Sequence, residues 1–133
     1  MKKFGILVTV LFNLVILFSC TKGPGPGGRA SIRGKIYARN YNKDYFKIDS
    51  GLIGGQKVYI KYGDEPGVGD DVDTDLSGTY VFPYLREGKY TVYAYSKRLT
   101  NNTLDSVISQ EINITNRKGV VEAPLLNINT FKN

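Results

Sequence analysis

Long stretches of the chain alternate between apolar and polar side chains with a period of two, and no window of twelve residues carries an apolar stripe at helical spacing. From Ser31 to Ala38, the small or apolar set Ile32, Gly34, Ile36 and Ala38 alternates with Ser31, Arg33, Lys35 and Tyr37. From Lys57 to Tyr62, Val58, Ile60 and Tyr62 oppose Lys57, Tyr59 and Lys61. That period places successive side chains on opposite faces of a strand, so each stretch predicts a strand with one buried and one wet face. Thr79 to Tyr84 and Lys89 to Lys97 form a pair around Leu85-Arg86-Glu87-Gly88, with Tyr90, Val92 and Ala94 facing one way and Thr91, Tyr93 and Tyr95 the other. Ile108, Ile112 and Ile114 share a face, and Val120 to Ile128 supplies a last strand or two in which Pro124 forces an edge or a bulge. The pattern predicts an all-β fold, a single antiparallel β-sandwich of about seven strands over residues 29–133. In the long link from Arg39 to Gln56, Asp44 to Ile48 is the candidate for a further short strand.

Ahead of the strands, Lys2 and Lys3 precede an apolar run from Phe4 to Phe18, which ends at Ser19-Cys20. A charged start, a short apolar stretch and a small residue before the cut describe a secretory signal peptide over residues 1–19. The run is short for a membrane span, because a bilayer core of about 30 Å calls for roughly 20 residues. Leu17-Phe18-Ser19-Cys20 resembles the lipobox of bacterial lipoproteins, although Phe18 is bulkier than the residue usual there. The resemblance implies that Cys20 is joined to diacylglycerol and then acylated, by palmitate or a similar chain, as the first residue of the mature protein. The alternative is an ordinary secreted protein in which Cys20 belongs to the signal by chance. Residues 20–28 read as the lipidated cysteine and a Gly/Pro tether, part flexible and part extended. Thr21 stands where an aspartate retains enteric lipoproteins in the inner membrane, so the resemblance implies an outer-membrane address in either leaflet.

The chain has no histidine, no tryptophan and one cysteine. Lacking an imidazole, it has no Ser-His-Asp or Cys-His nucleophile system and none of the usual zinc or non-haem iron sites. One cysteine excludes an internal disulfide and any thiolate cluster. What remains is carboxylate or tyrosine chemistry, an oxygen-ligand cation such as calcium, or no chemistry. Eighteen Lys plus Arg outweigh 12 Asp plus Glu. These bases fall singly on alternating strand positions, which describes solvated faces attracted to anionic lipid head groups or polysaccharide; nucleic acid is not expected as a partner.

Two clusters are candidate sites. Six acids and no base lie between Asp64 and Asp75, and Asp71-Val72-Asp73-Thr74-Asp75 has the alternate acidic spacing of a calcium loop. Asp70, Asp71, Asp73 and Asp75 are therefore candidate calcium ligands, with no other cofactor expected. The run is not an EF-hand, since the glycine needed next is missing and the twelfth position is Phe82. The plainer reading is a solvated turn whose charges are attracted to nearby lysines. A carboxylate pair for glycoside hydrolysis would need a cleft for which so small a domain has little room. All ten tyrosines fall between Tyr37 and Tyr95. Tyr59, Tyr93 and Tyr95 sit on outward strand positions and are candidates for a stacking platform for sugars or a peptide. The competing reading is that strands favour tyrosine and that half of the rings complete the core.

The segment from Thr74 to Tyr95, written by its fixed positions as T-D-x-x-G-x-Y-x-F-x-x-L-x-x-G-x-Y-x-V-x-A, closely resembles the carboxypeptidase regulatory-like domain, a transthyretin-like β-sandwich. Gly34-Lys35-Ile36-Tyr37 and Gly55-Gln56-Lys57-Val58-Tyr59-Ile60 resemble that family's first two strands. The likeness covers roughly Ser31 to Leu126 and implies a transthyretin-like, immunoglobulin-like sandwich. In physical terms Asp75 and Gly78 make a turn, the aspartate accepting from backbone N–H groups and the glycine taking a positive φ, while Tyr80 and Phe82 point at the core. Such positions specify a scaffold and say little about activity. No peptidase domain is attached, and the enzymatic relatives, a hydroxyisourate hydrolase and intradiol dioxygenases, depend on histidines. The expectation is a non-catalytic, membrane-anchored lipoprotein presenting a binding or structural module in the cell envelope. Its partners would be membrane lipid through acylated Cys20 and an envelope protein or polysaccharide. The alternative expectation is a calcium- or carbohydrate-binding module at the cell surface.

Overall fold

The computed structural model describes residues 22–132, so the expected signal peptide and Cys20 lie outside the described residues. Nine strands follow in order: β1 (Pro26–Tyr41), β2 (Lys47–Leu52), β3 (Lys57–Tyr62), β4 (Asp70–Asp73), β5 (Thr79–Leu85), β6 (Gly88–Lys97), β7 (Asp105–Ile114), β8 (Lys118–Glu122) and β9 (Leu126–Phe131). They form two sheets packed as a β-sandwich.

The first sheet is organised by β1, whose residues from Arg29 onward alternate between outward and buried positions as their sequence does. At its midpoint the Ile36 N–H donates to the Gly78 carbonyl (3.0 Å) and the Ile36 carbonyl accepts from the Ile53 N–H (3.2 Å). Antiparallel β5 and β2 therefore share one edge of β1, one behind the other. Parallel β8 and β9 share the opposite edge, and between them the Ala123 N–H donates to the Arg33 carbonyl (2.7 Å). The parallel pairs depart from the purely antiparallel expectation; the chain returns from the second sheet to β1 after β7 and meets it running in the same direction. The second sheet has the order β4-β3-β6-β7 and is antiparallel throughout.

Between the sheets lie Ile32, Ile36 and Ala38 from β1, Val58 and Ile60 from β3, Tyr80, Phe82 and Leu85 from β5, Tyr90, Val92 and Ala94 from β6, Ile112 and Ile114 from β7, and Leu126 and Ile128 from β9. Each large apolar side chain removed from water contributes about 1.5–3 kcal/mol, which makes this layer the main source of stability. Gly34 is part of the fit: a Cβ there would run into the Tyr80 ring, at 2.5 Å from Cζ. The turn before β5 forms as its residues dictate. Asp75 Oδ1 accepts from the Ser77 N–H (2.9 Å), the Ser77 hydroxyl (2.6 Å) and the Thr79 N–H (3.0 Å), and Gly78 takes φ 77°.

Three segments differ from expectation. The short strand expected at Asp44 to Ile48 forms at Lys47–Leu52, because the Asn42 side chain accepts from the Asp44 and Phe46 N–H groups (3.0 Å each) and closes a loop ahead of it. The acidic run is not wholly loop: Asp70–Asp73 is the edge strand β4, paired to β3. Lastly, β1 takes in residues 26–28 of the segment expected as spacer, which the protein fastens down. The Arg86 side chain donates to the Gly23 carbonyl (2.7 Å) and to that of Pro26, and its backbone N–H donates to the Gly25 carbonyl (3.0 Å). The Tyr90 hydroxyl accepts from the buried Gly25 N–H (2.9 Å) and donates to the Arg86 carbonyl (2.6 Å).

Candidate functional site: an outward tyrosine cluster

β3 and β6 are the two central strands of the second sheet, and their pairing sets Tyr59 directly opposite Tyr93. Both fall on the outer face, because Val58, Ile60, Val92 and Ala94 fill the inner one. Directly opposed side chains on one face are close enough to touch. The Tyr59 and Tyr93 rings stack with centroids 5.1 Å apart and planes 17° from parallel. Tyr95, the next outward residue on β6, meets both edge-on, at 5.5 Å from Tyr59 and 6.0 Å from Tyr93. Offset-stacked and edge-to-face contacts are the arrangements that ring quadrupoles favour.

The cluster is graded in exposure. Tyr93 lies beneath the others with 9% of its surface accessible, whereas Tyr95 keeps 45%. Burial, followed by the neighbouring Tyr95 and Tyr59 hydroxyls, pushes the Tyr93 hydroxyl above the usual tyrosine range, so it stays protonated and able to donate. The β6–β7 register continues the apolar surface, with Val107, 54% exposed, opposite Tyr95 and Ser109 opposite Tyr93. On the other side the β3–β4 register sets Asp71 opposite Tyr59 and Asp73 opposite Lys57. The Lys57 ammonium lies 2.7 Å from Asp71 and 3.2 Å from Asp73 and is held protonated by them, Asp71 first. The result is a rigid aromatic floor with an ion-paired polar rim.

No protein-family model matches the chain, and no curated protein matches it. Among solved structures, the chain is similar to a Pseudomonas aeruginosa "putative carbohydrate binding protein". The two share 12% identity over 85% of this chain and 94% of the other, with a TM-score of 0.42.

The four candidate calcium ligands do not converge. Asp71 and Asp73 point outward onto Lys57, whose ammonium supplies the positive charge a cation would bring. Asp70 pairs with Ile60 in the register and so falls on the other face, where its carboxylate helps to raise the Tyr62 hydroxyl after burial has done most of it. Asp75 is committed to its turn, whose donors, the Ser77 hydroxyl foremost, hold its carboxyl below the usual range. Among the described residues no group of three or more acids is placed to hold a metal ion. Tyr59, Tyr93 and Tyr95, in contrast, are brought into one contact. The other tyrosines divide between roles, Tyr80 and Tyr90 being buried in the core.

One group of side chains escapes the linear reading. At the end of the sandwich where the chain enters it, Lys22, Arg29, Arg86, Arg117 and Lys118 line an open cleft of about 910 Å³ with Glu87 as the single acid. Only Arg117-Lys118 is a local signal; the rest come from separate parts of the chain.

Proposed function

We propose that the protein is a non-catalytic, lipid-anchored module that binds polysaccharide of the cell envelope on the tyrosine face of its second sheet. The observation that carries this reading is the Tyr59, Tyr93 and Tyr95 cluster, held in mutual contact on an open sheet face. A sugar ring presents an apolar face of C–H groups and an equator of hydroxyls. The exposed Tyr95 ring and neighbouring Val107 suit the first, and the Asp71, Asp73 and Ser109 side chains at the rim suit the second. Because the rings are already fixed by one another, little side-chain entropy is lost on binding. A flat, open face suits an extended chain more than a small molecule, which prefers a concave pocket.

The wider reading is supported by the lipobox-like Leu17-Phe18-Ser19-Cys20 and by the resemblance of Thr74 to Tyr95 to the carboxypeptidase regulatory-like domain. The non-catalytic reading is supported by the lack of histidine, which removes the imidazole chemistry of the enzymatic relatives of the scaffold.

Affinity electrophoresis of the mature chain through gels containing envelope polysaccharides tests the reading. At least one polysaccharide should retard the protein, and Tyr95→Ala should weaken retardation roughly tenfold, the equivalent of about 1.4 kcal/mol. Phe46→Ala, which removes an exposed ring on the β1–β2 hairpin of the other sheet, should leave it unchanged. Retardation by none of the polysaccharides, or equal weakening by both variants, would refute the assignment.

A further inference from the structure

We propose a second binding site, for the phosphate groups of anionic lipid head groups, in the basic cleft at the entrance end of the sandwich. Its placement at the membrane rests on the reading of Cys20 as the lipid anchor; its chemistry does not.

The cleft is built from four separate pieces of chain: the entrance at Lys22, the start of β1 at Arg29, the β5–β6 turn at Arg86 and the β7–β8 turn at Arg117 and Lys118. Five cations face one carboxylate, Glu87, and among the described residues none of the five takes part in an ion pair. On the outer face of the second sheet Lys57, Lys89 and Lys97 are each matched to an acid. Unmatched cations also stand elsewhere, as at Lys35, Lys47 and Lys61, but at this end five line one cleft. Arg86 commits two of its five side-chain donors to the Gly23 and Pro26 carbonyls and so sets the wall of the cleft, while Arg29, Arg117, Lys118 and Lys22 face a ligand from around it. Guanidinium forks match the paired oxygens of a phosphate group.

The length of chain outside the described residues says what lies opposite. Gly23 is the first residue fastened to the sandwich, and Cys20 precedes it by three, which at full extension spans at most about 10 Å. A head-group layer is about 5–7 Å deep on each side of a bilayer, and charges are felt over about 8 Å at physiological ionic strength. An acylated Cys20 therefore holds this end, and no other, within reach of the phosphates. A soluble phosphate compound would present the same oxygens, but nothing would hold it at this end of the molecule.

The test uses the mature chain with Cys20→Ser, so that acylation contributes nothing, in sedimentation with vesicles of phosphatidylcholine alone or mixed with phosphatidylglycerol. The expected result is binding to the mixed vesicles only, abolished by high salt. Combined Arg29→Gln, Arg117→Gln and Lys118→Gln should reduce that binding about a hundredfold, at about fivefold per basic residue near the surface. Combined Lys35→Gln, Lys43→Gln and Lys47→Gln removes equal charge elsewhere and should reduce it far less, with the melting temperature of each variant confirming a folded chain. Equal binding to neutral vesicles, or equal loss in both triple variants, overturns the site. Displacement from vesicles by millimolar inorganic phosphate, with a matching rise in melting temperature, overturns the membrane as its source. Release of Cys20→Ser from cell membranes is a separate measurement, so failure of the anchor and failure of the cleft are told apart.

Discussion

The Tyr80 hydroxyl is enclosed by the core against Gly34 and has no hydrogen-bond partner among the described residues. A buried, unpartnered hydroxyl costs more than its ring gains from keeping it. Burial also pushes its pKa up to about 12, from an ordinary value of 10.0. The folded state then holds a proton that the unfolded chain releases, so this contribution to stability is intact below pH 10 and declines as the pH rises towards 12. The decline amounts to at most about 2.7 kcal/mol at 1.36 kcal/mol for each pH unit. Tyr80→Phe should be about 1 kcal/mol more stable than the wild type at neutral pH and should show a flatter loss of stability in alkali. Urea denaturation at pH 7 and pH 11 measures both, and an equally steep alkaline loss in the variant would contradict the assignment. The surface aromatic cluster and this core hydroxyl show tyrosine in opposite uses, one paired with its own kind in the open and one sealed away.

At the scale of elements, the strap at the entrance depends on Tyr90, whose hydroxyl links the buried Gly25 N–H to the β5–β6 turn. Tyr90→Phe keeps the ring in the core but strands that N–H, at a cost of about 1–3 kcal/mol. Hydrogen exchange at the Gly25 amide should accelerate strongly while the β6–β7 amides stay protected; unchanged Gly25 exchange would show that the strap holds without it. How far such elements can be read from sequence depends on where their order comes from. β1, β3, β5 and β6 carry their own alternation, and the shared face of Tyr93 and Tyr95 follows from it, with Tyr59 joining them once β3 pairs with β6. β4 has no such signal, since Asp70-Asp71-Val72-Asp73 is poor in strand formers; pairing to β3 and the Lys57 ion pairs impose its conformation. The strap was hidden for the same reason, because glycine and proline show no intrinsic preference for packing and its fastenings lie more than sixty residues away at Arg86 and Tyr90. The basic cleft is likewise created by topology and not by any one segment.

For the whole molecule, the two sites lie towards opposite ends of β6. Gly88 starts that strand beside the entrance, and Tyr95 follows seven residues later, about 23 Å along at 3.3 Å per residue. Anchored through Cys20, the sandwich would rest its basic end on lipid and raise the tyrosine face clear of the head groups. In membranes washed at high salt, Cys20→Ser should therefore move the protein from the membrane to the soluble fraction of cells, and it should leave polysaccharide binding in vitro unchanged. Persistence in the membrane fraction would remove the anchor from the reading. The central position of β1 also bears on when the protein can fold. Its Ile36 is paired with Leu126, so the first strand of the described chain is completed by the last. Contacts this distant along a chain form slowly, and on the proposed export the closing partner would not yet have crossed while earlier parts emerged. An exported chain with this topology remains open and threadable until its final strand has passed, when β9 closes the sheet.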